Sequence, residues 1–236
     1  MALIEVINDA NTVLVDDNYS NMCLALSSSL RLTNSGNTDG SGDGDMNSIS
    51  YTAAANEYPQ LVLELSGLRA AQIFTSKSGN TWTWYIAFRI SDYGSTLNYH
   101  VMTIPSAVPN ANGLLQLFDA SGKLVFDSNL RYLKITGSYS PSQNSNINAG
   151  MDPAKKYGVL ASSSGWSRMF QRSNPLEPAP PYSFIYSNAS LIHRRVGTNI
   201  VSASVIHQQG NSRVDNPGSM NSQGTARILL LDITNF

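Results

Sequence analysis

Apolar and polar residues alternate with a period of two along most of this chain. That spacing puts successive side chains on opposite faces of a β-strand. In "TWTWYIAFRIS", Trp82, Trp84, Ile86, Phe88 and Ile90 share one face, and Thr83, Tyr85, Ala87, Arg89 and Ser91 share the other. The pattern predicts a half-buried strand with both indoles toward the core. "QLVLELSGL" sets Leu61, Leu63 and Leu65 against Val62 and Glu64. "LNYHVMTI", "NIVSASVIH" and "ARILLLDI" also read as strands, being rich in β-branched and aromatic residues. The intervening stretches 33–48, 138–150 and 208–224 are dense in Gly, Asn and Ser and predict turns. No window of a dozen residues keeps a helical period.

Two stretches repeat one another. "LIEVINDANTVLVDDNYSNMCL" (3–24) and "LLQLFDASGKLVFDSNLRYLKI" (114–135) both read as a β-hairpin with a short turn. Leu3 aligns with Leu114, Asp16 with Asp127 and Asn18 with Asn129, at a constant offset of 111 (114 − 3) and with no gap. Strand-like runs then recur in the same order. Met22–Leu32 corresponds to Tyr132–Thr136, Pro59–Leu65 to Pro181–Tyr186, Trp82–Ile90 to Asn199–His207, and Leu97–Ile104 to Ala226–Ile233. The expected fold is therefore all-β, with two tandem antiparallel β-sandwich domains of similar topology. They would cover residues 1–107 and 108–236, divided at the Pro- and Gly-containing segment 105–113. The competing reading is one large sandwich with two similar hairpins.

Composition narrows the role. Only 13% of the 236 residues are charged, against 42% hydrophobic, and the formal net charge is −1. Average soluble proteins carry about 25% charged residues, so Ser, Thr, Asn and Gly must cover much of this surface. No basic field is available to attract nucleic acid or an anionic membrane. No apolar run reaches the roughly 20 residues of a membrane span, and "MALIEVIND" lacks the basic and apolar regions of a signal peptide. Synthesis in a cytosol without membrane insertion is expected. Cys23 is the lone cysteine. Within an apolar run it reads as a small buried hydrophobe, and it excludes an internal disulfide.

Candidate chemistry is sparse. Asp39, Ser41, Asp43, Gly44 and Asp45 match the opening of a calcium loop, but the twelfth position is Ser50 rather than a bidentate acid. A solvated loop and a bound cation are both compatible with this stretch. His100, His193 and His207 share no metal-ligand spacing. No nucleophile elbow, phosphate loop or dinucleotide fingerprint is present. Asp92, Asp119, Asp127 and Asp152 could serve a glycosidase only if folding paired two of them, and Asp119 is explained as a turn residue. No catalytic residue, cofactor or metal ligand is assigned. Trp166, in the small-residue stretch "ASSSGWSRMFQR", reads as a loop indole that either stacks on a sugar or partner or folds back over a sandwich edge. The Pro-rich stretch 174–184 reads as a lead into the next strand or as an extended arm.

The hairpin carries a resemblance. "LLQLFDASGKLVFDS" follows a pattern found in structural proteins of tailed bacteriophages: G/L-L-x-V-F/Y-D/N-x-x-G-x-x-x-F/I-D-S, then an aromatic and an alternating strand. The 3–24 stretch resembles it too, with Asn11 in place of Gly and Asp17 in place of Ser. Asn tolerates the left-handed backbone that Gly serves there. The resemblance covers about 22 residues in each half. It implies a non-enzymatic virion protein of the tail tip, baseplate or fibre attachment. Such a protein would be homo-oligomeric, in contact with other tail proteins, and released by lysis. A carbohydrate-binding or adhesin module recognising host-surface glycan, with Trp166 and the Asp39–Asp45 loop, is the alternative. A β-sandwich hydrolase is a third.

Overall fold

A computed structural model describes residues 5–7, 13–16, 21–35, 43–109, 111–173, 176, 180–214 and 221–236. Among them the chain is all-β. The first half contributes β1 (Glu5–Ile7), β2 (Val13–Asp16), β3 (Cys23–Arg31), β4 (Gly44–Thr52), β5 (Gln60–Glu64), β6 (Ala70–Ser78), β7 (Thr81–Arg89) and β8 (Thr96–Thr103). The second contributes β9 (Gln116–Phe118), β10 (Leu124–Asp127), β11 (Ile135–Tyr139), β12 (Asn146–Asn148), β13 (Tyr157–Ser164), β14 (Trp166–Arg172), β15 (Tyr182–Val196), β16 (Asn199–Val214), β17 (Asn221–Gln223) and β18 (Ala226–Asp232).

Both quoted hairpins form, in the same register. Glu5 pairs with Asp16, Val6 with Val15 and Ile7 with Val13. At the 111-residue offset, Gln116 pairs with Asp127, Leu117 with Phe126 and Phe118 with Leu124. Each pairing skips one residue at the same step. The agreement continues into the next strand. Leu24 pairs with Met102, Ile135 pairs with Leu231, and each pair is followed at once by a register shift.

The main sheets carry this repetition through. One is six-stranded, in the order β11-β18-β13-β5-β8-β3. The other is eight-stranded and includes the path β12-β16-β15-β6-β7-β4, with β14 and β17 added beside β15. Read inward from either edge, the strands of the two halves follow the same order. The halves meet where β13 joins β5 (Leu160 opposite Val62) and where β15 joins β6 (His193 opposite Ala70). Each sheet thus runs unbroken from one half into the other.

Two cores lie between the sheets, one per half. The first gathers Leu61, Leu63, Leu97 and Val101 from the six-stranded sheet and Ile49, Trp84, Ile86 and Phe88 from the eight-stranded sheet. The second gathers Tyr157, Val159, Ile228 and Leu230 with Ile200. The reverse faces are also buried. Val62, Met102, Leu160, Leu231 and Ile233 form a third cluster with Met22, Leu24 and Leu133. This cluster is enclosed because the run-ins to the two edge strands pair with each other. Cys23 bridges to Tyr132, Leu24 N–H donates to the Arg131 carbonyl (2.8 Å), and Leu133 N–H donates to the Met22 carbonyl (2.8 Å). The six-stranded sheet is thereby closed at that end. A fourth cluster, Ala71, Ala87, Ile192 and Val205, covers the reverse of the eight-stranded sheet at the seam.

Several expectations need correction. The counterpart of Pro59–Leu65 is β13, not Pro181–Tyr186, which opens β15 and matches β6 in sheet position. Alternation and length suited both runs equally, and only pairing partners separate them. Strand also extends into stretches read as turns. β4 begins at Gly44, β11 reaches Tyr139, β12 lies at Asn146–Asn148, β16 reaches Val214, and β17 lies at Asn221–Gln223. Cross-strand hydrogen bonding holds these polar residues extended despite their low intrinsic preference.

Candidate functional site

The Trp166 neighbourhood is built by a change of strand. β13 and β14 are separated by Gly165 alone, at φ 57°. A side chain there would meet Ala226, with its Cβ 2.8 Å away. The backbone turns at that point, and Trp166 opens a strand rather than lying in a loop, which corrects the expectation from its small-residue surroundings. β14 then pairs with β15 along its length, and with β17 from Ser167 to Met169. Gly224 lies beside the indole. A Cβ at that position would come within 2.6 Å of Nε1, so the ring rests on bare backbone. Gly224 N–H also donates to the Trp166 carbonyl at 2.8 Å.

The indole is 46% exposed and forms one wall of a cavity of about 200 Å³. Ser142, Gln143, Ser167, Ser204 and Thr225 are among its other lining residues, and no charged residue lines it among the described residues. Ser190 forms part of the lining and is only 3% exposed. Its hydroxyl is 3.1 Å from His207 Nε2. A nucleophilic serine needs a histidine held in place by a third group. His207 Nδ1 has no hydrogen-bond partner among the described residues. The pair therefore satisfies a buried hydroxyl and lacks the orienting partner of a triad. Trp166 alone was legible in the sequence. Its neighbours come from distant stretches, two of which read as turns.

The remaining histidines are also paired with serines. His193 Nδ1 lies 2.8 Å from Ser202 Oγ, and His100 Nδ1 lies 2.9 Å from Ser27 Oγ. Burial holds His193 and His207 down to about 4 and lowers His100 as well, so all three favour the neutral form. Cys23 donates to the Thr103 carbonyl at 3.4 Å. Burial pushes its thiol up to about 12, with the charges of Glu57 and Asp127 adding to the effect, so it packs as an inert buried thiol.

Of the acidic loop, Asp39 and Ser41 lie outside the described residues. Asp45 is fully buried and accepts hydrogen bonds from Ser35 N–H (2.8 Å), Ser35 Oγ, Met46 N–H (2.6 Å) and Tyr93 OH (2.7 Å). Burial alone would raise its pKa, but these donors hold it below the usual carboxylate range. Asp43 accepts from Ile206 N–H (3.0 Å) and lies 3.6 Å from the Arg89 guanidinium. Both carboxylates tie this stretch to the fold. No cluster of three or more metal-ligating side chains occurs among the described residues.

The carboxylates considered for glycoside chemistry each accept hydrogen bonds from backbone N–H groups. Asp119 Oδ1 accepts from Ser121 N–H and Lys123 N–H, both at 2.9 Å, which closes the second hairpin as its turn chemistry predicts. Asp127 accepts from Gly113 N–H (2.8 Å), Gln116 Nε2 (2.7 Å) and Asn129 N–H (2.7 Å). Asp92 accepts from Arg69 N–H, and Asp152 from Ala154 N–H. No helix among the described residues is long and apolar enough to cross a membrane.

No protein-family model, curated protein or solved structure matches this chain.

Proposed function

We propose that this chain is a non-enzymatic structural component of a tailed-phage virion, at the tail tip, baseplate or fibre attachment. It would act as a homo-oligomer in contact with other tail proteins and reach its place by assembly inside the host cell. The observation that carries the reading is the second hairpin. Its sequence resembles the phage module, and its apolar residues divide between two directions. Leu117 and Val125 are buried in the fold, while Leu114, Leu115 and Phe118 are exposed. Exposed apolar side chains gathered on one short element suit a subunit contact better than an isolated surface. The low charge of the chain supports the same reading, because a neutral polar surface costs less to desolvate than a charged one.

Antibody labelling of virions and light-scattering mass of the free protein test this together. The expected result is the chain in the particle at the tail end, and an oligomer whose mass falls in a Leu114→Ser, Phe118→Ser double variant. Absence from virions, with a monomer at every concentration, would overturn it.

A further inference from the structure

We propose that the cavity beside Trp166 is a subsite for one neutral pyranose residue. At about 200 Å³ the cavity is smaller than the roughly 300–1,000 Å³ of pockets that take drug-sized ligands. It suits a single ring. The chemistry of the walls then selects the ring. One wall is the exposed indole, a flat apolar surface with a negative π-face. The rest of the lining includes Ser142, Gln143, Ser204 and Thr225, residues with hydroxyl and amide side chains. A pyranose has this same division, with C–H groups on one face and hydroxyls around the rim. An aromatic or aliphatic side chain would leave the polar walls without partners, at a desolvation cost. The lining sets the sign: among the described residues no cation is placed to meet a uronate or sialic acid carboxylate.

The site is also held in place. Gly224 lacks the side chain that would overlap the indole, Gly165 lets the chain turn against Ala226 just before Trp166, and the hydrogen bond from Gly224 N–H to the Trp166 carbonyl fixes the strand that carries it. Ser190, bonded to the buried His207, makes part of the lining rigid. A ligand would meet a preformed surface and lose little in ordering it. The subsite does not depend on where in a virion, or elsewhere, the chain resides.

The test uses the full chain. Saturation-transfer NMR with glucose, galactose, rhamnose, N-acetylglucosamine, glucuronate and sialic acid is combined with an array of bacterial surface oligosaccharides. The expected result is transfer to at least one neutral sugar and none to the two acids. Array binding should fall at least tenfold in Trp166→Ala and only a few-fold in Trp166→Phe, which keeps an aromatic face. Unchanged melting curves would show that both variants fold. If Trp166→Ala unfolds, Gly224→Ala serves instead, since its Cβ would overlap the indole at Nε1 and force the ring from its place in the wall. The proposal is overturned if no neutral sugar gives a signal, or if binding survives in a folded Trp166→Ala or Gly224→Ala protein.

Discussion

Single residues in this protein are spent on satisfying the backbone and on burying neutral polar groups. Asp127 shows the first use. Its carboxylate gathers the N–H groups of Gly113 and Asn129 and the Gln116 amide, so one side chain ties the entry of the hairpin to its exit. The histidines show the second and make stability depend on pH. His193 and His207 are buried as neutral rings with pKa values near 4, while an unfolded histidine titrates near 6.5. Below pH 6.5 the unfolded chain binds protons that the folded chain refuses, so their contribution is present above pH 6.5 and is lost as pH falls toward 4. Each ring should cost about 2 kcal/mol between pH 7 and pH 5. Urea midpoints at those two pH values should differ clearly in the natural chain and less in a His193→Gln, His207→Gln variant. A midpoint independent of pH over this range would contradict the assigned burial.

At the scale of elements, strands are packed so closely in places that no side chain fits. Gly44, at the head of β4, faces β16. A Cβ there would overlap Val205 Cγ2 and stand 3.0 Å from the carbonyls of Ile206 and Phe88. Gly44→Ala should destabilise by about 1–3 kcal/mol. Because the overlap is with one methyl group, Val205→Ala in the same chain should recover part of that loss. A double-mutant cycle by denaturant melting measures it, and strictly additive losses would mean the two strands are not in contact. Strand boundaries were the least legible part of this level. Hydrophobic alternation marks a strand only where one face is buried and the other wet. Val62 alternates with Leu61 and Leu63, yet all three are buried, because both faces of the six-stranded sheet are covered. The polar start of β4 and the polar end of β16 carry no alternation in sequence, and pairing with β7 and β15 extends them.

Across the whole molecule the two halves share both sheets. The cluster of Val62, Met102, Leu160, Leu231 and Ile233 takes two residues from the first half and three from the second. Either half alone would expose that surface and the unpaired edges of β5 and β6, or of β13 and β15. Residues 1–107 and 108–236 produced separately should each lack a cooperative thermal transition, and their mixture should regain one. Calorimetry of the two pieces and the mixture decides this, and two independent transitions in the separate pieces would refute it.

Much of this architecture was decided along the chain itself. The period-two pattern determined an all-β fold, and the offset of 111 determined that the two hairpins share one register, because local alternation and turn chemistry act within about twenty residues. Tertiary structure alone decided the rest. Whether β5 is matched by β13 or by the start of β15 depends on hydrogen bonds between strands roughly a hundred residues apart in the chain. The surroundings of Trp166 are a product of the same long-range pairing. Ser142, Ser190, Ser204 and Thr225 carry no shared signal in sequence, and they become neighbours only when the β11–β12 connection, β15, β16 and the residue before β18 are brought beside β14.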